Sequence, residues 1–86
     1  MYYYVYLLQS KRTKNFYIGY TSNLKKRLAQ HNSGETPSTK AGAPYELVYF
    51  EGFKNKKDAL IREKKLKDHG QGIRRLKERL SNSVEK

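Results

Sequence analysis

Residues 2–9, Tyr-Tyr-Tyr-Val-Tyr-Leu-Leu-Gln, are apolar on both sides of an extended chain. Side chains alternate along a strand, so Tyr2, Tyr4, Tyr6 and Leu8 share one face while Tyr3, Val5 and Leu7 share the other. Such a strand has to be covered twice, which calls for packing layers above and below it. A polar turn, Ser10 to Asn15, and a second strand, Phe16 to Tyr20, complete a hairpin.

The rest of the chain supplies those layers. Thr21 or Ser22 can cap a helix from Asn23 to about Asn32, and Gly34 ends it. Residues 33–44 show no hydrophobic period and form a long loop, of the kind that more often serves function than connection. Tyr45 to Phe53 is a third strand. Asn55 caps a second helix to about Lys67, Gly70-Gln71-Gly72 breaks it, and Ile73, Leu76 and Leu80 give a third helix its apolar stripe. The expected order is ββαβαα, an α+β domain of residues 1–80 with a three-stranded antiparallel sheet flanked by helices. Residues 81–86 are expected to fray as a flexible tail.

With 86 residues and no cysteine, disulfides and thiolate metal sites are excluded, and a chain of this size buries only roughly 60–65% of its unfolded surface. Two histidines are too few for a usual structural zinc site. No apolar run is long enough to span a membrane, and the start lacks a signal-peptide layout, so a cytoplasmic protein is expected. The net charge is +11. A surplus of that size points to a polyanionic partner, nucleic acid first, and by itself says nothing about catalysis.

Polar residues on inward helical faces carry the sharper signal. At ~100° per residue, Leu24 and Leu28 define the inner stripe of the first helix, with Arg27 and His31 on its edge and Lys25 and Lys26 pointing away. In the second helix Ala59, Leu60 and Leu66 set the inner face, and Glu63 lies between them. A carboxylate there needs a metal, a cation or a donor. An ion pair with Arg27 or Lys67 would meet that need as simply as any ligand. The eight tyrosines taken singly suit sheet packing, and His31 alone suits a helix C-terminus.

Taken together, the spacing resembles the GIY-YIG nuclease superfamily, and especially its short stand-alone members similar to the nuclease domain of the UvrC excision-repair subunit. Tyr4-Val5-Tyr6 corresponds to the GIY element and Tyr17-Ile18-Gly19 to YIG. Asn23 to Leu28 with His31, Asn32 and Gly34 matches the next block, and Ala59 to Glu63 matches the block bearing the metal-binding glutamate. The resemblance implies that Tyr6 activates water, that Tyr17 assists at the scissile phosphate, and that Arg27 neutralises phosphate charge. It sets His31 beside the base and makes Glu63 the one direct protein ligand of a divalent metal. It also implies that Gly19 lets the backbone pass close to the site. Tyr4 stands where the family has a glycine, and Tyr20 and Thr21 stand where UvrC-type members carry a lysine.

The expected activity is therefore that of a metal-dependent DNA endonuclease, acting in DNA repair or recombination and reading DNA shape rather than sequence. Only one of the eight acids lies on an inward helical face, which favours one ion over two; Mg²⁺ suits a single carboxylate, and Mn²⁺ should substitute. Free tyrosine has a pKa of about 10, so Tyr6 needs a basic surround, from Arg27 and the metal, to act as base. A relay through His31 is the other route. Lys25, Lys26, Thr39, Lys40, Lys65, Arg74 and Arg75 are the expected nucleic-acid contacts. The alternative is a non-catalytic module of the same fold that binds DNA or RNA. Targeting by a protein partner would compensate for a small reading surface, and the chain is expected to be a monomer or a weak dimer.

Overall fold

The computed structural model describes residues 1–36, 40–68 and 71–84. β1 (Tyr3–Ser10) is the middle of a three-stranded antiparallel sheet ordered β2-β1-β3, between β2 (Phe16–Thr21) and β3 (Tyr45–Phe53). The doubly apolar strand is therefore the central one, and Val5 to Ser10 are all buried. Three helices complete the ββαβαα order: α1 (Leu24–Asn32), α2 (Lys56–Lys67) and α3 (Gln71–Arg79). The α+β class expected from the sequence is the one observed.

Strand register assigns each residue to a face. Tyr6 is paired with Gly19 on β2 and Phe50 on β3, while Leu7 is paired with Ile18 and Tyr49. On the Leu7 side, α2 and α3 close the core with Ala59, Leu66 and Leu76 against Val5, Leu7 and Ile18. On the Tyr6 side, α1 sets Leu24 and Leu28 against Tyr6, Leu8 and Leu47. The register shifts between Leu7 and Leu8, where β3 carries one residue more than β1. The domain thus has two helical layers with the tyrosine hairpin between them.

Three local features differ from the sequence reading. Asn23, rather than Thr21 or Ser22, caps α1, its side chain accepting from the Lys26 amide at 3.1 Å. Thr21 instead braces that cap, its hydroxyl accepting from the Asn23 amide at 3.0 Å. Leu60 does not face inward and is 40% exposed. Ala59 and Leu66 are seven residues apart and so nearly eclipsed on a helix, which leaves Arg62 and Glu63 between them and turns Leu60 about 100° away. Gly72 does not break the chain but lies inside α3. The break has to fall before it; Gly70 lies outside the described residues.

The hairpin turn is tied to the segment before β3. Ser10 is fully buried, its hydroxyl donating to the Gly42 carbonyl at 2.5 Å and accepting from the Arg12 and Thr13 amides. A short 3₁₀ turn, Lys40–Gly42, therefore interrupts what the sequence presents as plain loop. Asn55 caps α2 as expected, accepting from the Lys57 amide at 2.8 Å. Residues 81–84 form turns in which the Ser83 and Val84 amides bond back to the Leu80 carbonyl.

A Cβ added at Gly72 would stand 3.0 Å from both the Leu66 Cα and the Lys65 carbonyl oxygen. Helix propensity favours alanine there by about 1 kcal/mol, but overpacking against another backbone costs about 1–3 kcal/mol. Gly72→Ala is therefore expected to lower stability, by about 1 kcal/mol net. A urea midpoint at or above that of the parent would contradict this close approach of α3 to α2.

Candidate active site

Arg27 and His31, one turn apart on α1, reach the central strand from above. His31 is not at the edge of the stripe, as the helical wheel suggests, but fully buried. Its Nε2 lies 2.8 Å from the Tyr6 hydroxyl, and Arg27 Nε donates to the same oxygen at 3.4 Å. Guanidinium N–H groups can only donate, so the hydroxyl accepts from Arg27. A buried hydroxyl proton needs an acceptor, and His31 Nε2 is the one within reach. Tyr6 as donor to Nε2 is the arrangement that satisfies this proton among the described residues.

The pocket for this pair is made by an absence. Gly19 is paired with Tyr6, and a Cβ at Gly19 would collide with the Tyr6 hydroxyl and ring. Tyr17, two residues earlier on the same face, meets the imidazole edge-on with centroids 5.0 Å apart. Tyr6 makes a similar contact at 5.8 Å, and Tyr45 a tilted one at 6.4 Å. His31 thus sits among three tyrosines. Tyr45 was not singled out from the sequence; its position at the first residue of a strand is the only cue. Asn32 holds it there, its side-chain amide bonding both the amide (2.6 Å) and the carbonyl (3.1 Å) of Tyr45.

Within the chain, burial opposes the expected lowering of the Tyr6 pKa. Burial raises the Tyr6 pKa, and this outweighs the lowering by the Arg27 hydrogen bond and charge; Tyr17 and Glu63 add to the rise. The basic surround is present, but desolvation wins, and Tyr6 is a neutral phenol near pH 7. His31 moves the other way. Burial, and then the Arg27 charge, lower its pKa below 6.5. A neutral imidazole facing a phenolic proton is the state these shifts favour.

Glu63 is held on the inner arc of α2 between Ala59 and Leu66, its side chain 21% exposed. Of the two ion pairs the sequence allows, the one with Lys67 forms, at 3.2 Å through Oε2, and the one with Arg27 does not. No hydrogen bond links Glu63 to the tyrosine cluster among the described residues, yet its charge is felt at Tyr6. Oε1 makes no hydrogen bond there either. Among the described residues no group of three His, Cys, Asp or Glu side chains could hold a metal. One partly exposed carboxylate oxygen fits an ion that keeps most of its waters, as Mg²⁺ does, and not one that demands several protein ligands.

The cations divide between two surfaces. Lys26 and Arg27 line an open cavity of about 470 Å³ with Tyr20, Thr21, Ser22, Asn23 and Gln30. Lys25 and Lys40 are exposed, and Thr39 lies outside the described residues. Lys65 and Arg75 lie elsewhere, lining a groove between α2 and α3 with Arg62 and Arg79. Arg62 is held there by Glu51, at 3.0 and 3.2 Å from its Nε. Arg74 is exposed on α3. The expected nucleic-acid residues therefore do not converge on one face.

This geometry is that of a GIY-YIG domain: the model of the GIY-YIG catalytic domain matches residues 2–78, and the chain belongs to that family. Its relatives carry a family designation of their own. The chain is 43% identical over 65 residues to a UPF0213 protein of Streptococcus pneumoniae, covering 74% of this chain and 65% of the relative. It is 42% identical over 65 residues to a UPF0213 protein of Staphylococcus haemolyticus, covering 74% and 78%. In the pneumococcal protein and a Clostridium perfringens relative the match spans less than two thirds of the relative's length, 65% and 64%. The solution NMR structure of a UPF0213 protein from Bacillus halodurans is 32% identical, with a TM-score of 0.55 over 95% of this chain and 84% of that one. No helix among the described residues is long and apolar enough to cross a membrane.

The lowered His31 pKa makes stability pH-dependent. Because the folded pKa lies below the unfolded 6.5, the unfolded state binds the extra proton as the pH falls through that value, and stability is lost there and not above it. The urea midpoint is expected to fall between about pH 7.5 and about pH 5.5. The drop should shrink in His31→Gln, whose amide oxygen can take the Tyr6 proton without titrating. An equal drop in that variant would remove His31 as its source.

Proposed function

We propose that this protein is a metal-dependent endonuclease that hydrolyses DNA phosphodiester bonds. The observation that carries the reading is the Tyr6 hydroxyl shared between His31 and Arg27, beside a cavity lined with cations, in a chain of the GIY-YIG family. A divalent ion held through Glu63 would supply Lewis-acid stabilisation of charge at the phosphate and leaving oxygen.

The protein's own groups account for the remainder. Tyr6 is too weak a base to act alone, so the attacking water passes its proton to the Tyr6 oxygen as Tyr6 passes its own to His31 Nε2. In this reading the phenol is a relay and the imidazole the acceptor, the two acting in series. Arg27 holds the phenol oxygen in place and carries positive charge to the cavity wall, where Lys26 adds a second cation for the substrate backbone. Tyr17 braces the imidazole edge. Lys67 occupies Oε2 of Glu63, so Oε1 is the oxygen that would hold the ion.

Substrate choice in this reading follows DNA shape rather than sequence, since backbone contacts position a protein without reading bases. The likeness to the UvrC nuclease domain and a role in repair or recombination belong to the same proposal. A binding module without catalysis is the second reading. It is favoured by the Lys67 pair, which satisfies Glu63 with no metal present.

The deciding experiment is a panel of nicked, branched, flapped and single-stranded DNA with Mg²⁺ or Mn²⁺. Cleavage by the parent protein is expected to fall at least about 100-fold in Arg27→Ala, as for loss of an oxyanion donor, and to vanish in Glu63→Ala. Intact DNA throughout would favour the binding module, and cleavage surviving both substitutions would indicate a contaminant. The rate should also rise with pH, with its midpoint below about 6.5, because His31 must be neutral. An inflection above the ordinary tyrosine pKa of about 10 would instead make the phenolate the base.

A further inference from the structure

The sheet face that carries Tyr6 is only partly covered by α1. Beyond the helix, Phe50 is 51% and Tyr2 54% exposed, and Tyr4 is half-buried. The register keeps Phe50 and Tyr4 on one side, since Phe50 pairs with Tyr6 and Tyr4 pairs with Gly52, and Tyr2 lies beside Gly52 there. Tyr4 and Phe50 meet edge-on with centroids 6.0 Å apart. Gly52 leaves the surface low between the rings: a Cβ there would stand 3.3 Å from the Tyr4 ring and 4.0 Å from Tyr2. The result is a shallow aromatic shelf on open β-sheet. Packing within the described residues leaves about half of Phe50 and Tyr2 open to solvent.

Its location specifies a ligand. Tyr4 pairs with Thr21, which lines the Lys26/Arg27 cavity, and Phe50 flanks Tyr6, whose hydroxyl Arg27 contacts. Aromatic rings beside a cationic track are the arrangement that holds unpaired nucleic acid, with phosphates in the track and bases on the rings. A base paired inside a duplex has its faces already stacked and cannot use the shelf. A second copy of the chain is the other way to cover an apolar surface, but at a net charge of +11 self-association is opposed and a polyanion is favoured.

We infer that Phe50, Tyr4 and Tyr2 form a stacking platform for unpaired bases of single-stranded DNA, next to the phosphate cavity at Arg27. This rests on the nucleic-acid reading above and deepens it, because it directs the protein to frayed, flapped or single-stranded DNA over intact duplex. Tyr4 then has a use at the position where the GIY element carries glycine.

The chain contains no tryptophan, so Phe50→Trp makes a single-tryptophan reporter at the shelf. It is titrated without metal against a labelled single-stranded deoxyoligonucleotide and an abasic oligonucleotide of the same length. Tryptophan emission reports stacking, and anisotropy of the label reports binding. Both strands are expected to raise the anisotropy, and only the base-bearing strand to quench the tryptophan. In the otherwise unaltered protein, Phe50→Ala should weaken single-strand affinity about 5- to 100-fold, the range for loss of one stacked base. Ile61→Ala, which removes an equally exposed apolar side chain from α2, should not.

Binding of both strands with unchanged emission would overturn the platform and leave the phosphate reading standing. Binding of neither would overturn both. Emission that changes with protein concentration alone would assign the shelf to a second copy and overturn the inference.

Discussion

A phenolic hydroxyl on a central strand covered by helices on both faces has to find a hydrogen-bond partner inside the domain. Tyr6 is 2% exposed, and solvent cannot serve that hydroxyl in full. The fold meets the demand by omission and insertion: Gly19 leaves the space across the hairpin, and α1 lowers His31 into it. The surrounding structure depends on that contact. α1 must begin where Asn23 caps it for Arg27 and His31 to face the sheet, and Tyr17 and Tyr45 must flank the ring to exclude water. A substitution that restores a Cβ at position 19 would disturb the helix as much as the strand.

The two helical layers divide the electrostatics. On one side of the sheet lie the hydrogen-bonded Tyr6 and His31, each driven towards its neutral form by burial. The other carries Glu63, which remains partly exposed and ion-paired. The groove of Arg62, Lys65, Arg75 and Arg79 belongs to the second layer as well, so the positive field is not focused on one face.

Much of the architecture was legible because it depends on short-range periodicity. Apolarity on both faces of residues 2–9 called for a strand covered on two sides, and the third strand and the Asn55 cap stand where pattern and capping chemistry put them. Leu60 was misassigned because apolar character was weighed above phase; the eclipsed pair Ala59 and Leu66 already set the inner arc. The depth of His31 was hidden, since it depends on a glycine and two tyrosines brought together from other elements. The direction of the Tyr6 shift was hidden for a different reason. Burial and a neighbouring cation oppose each other there, and residue identity alone does not say which is larger. Tyr45 and the Asn32 contacts are likewise products of tertiary folding.

Asn32 has a consequence beyond holding a tyrosine. Its amide presents one acceptor and one donor to Tyr45, much as a neighbouring strand would, and so fastens the end of α1 to the start of β3. With Ser10 gripping Gly42, the segment from Ser33 to Pro44 is anchored at its far end and closed at its base. A loop stapled in this way can gain or lose residues at modest entropic cost, because closure depends only slowly on length. Evolution could then vary that excursion, and whatever it touches, while the histidine and its tyrosines stay where they are.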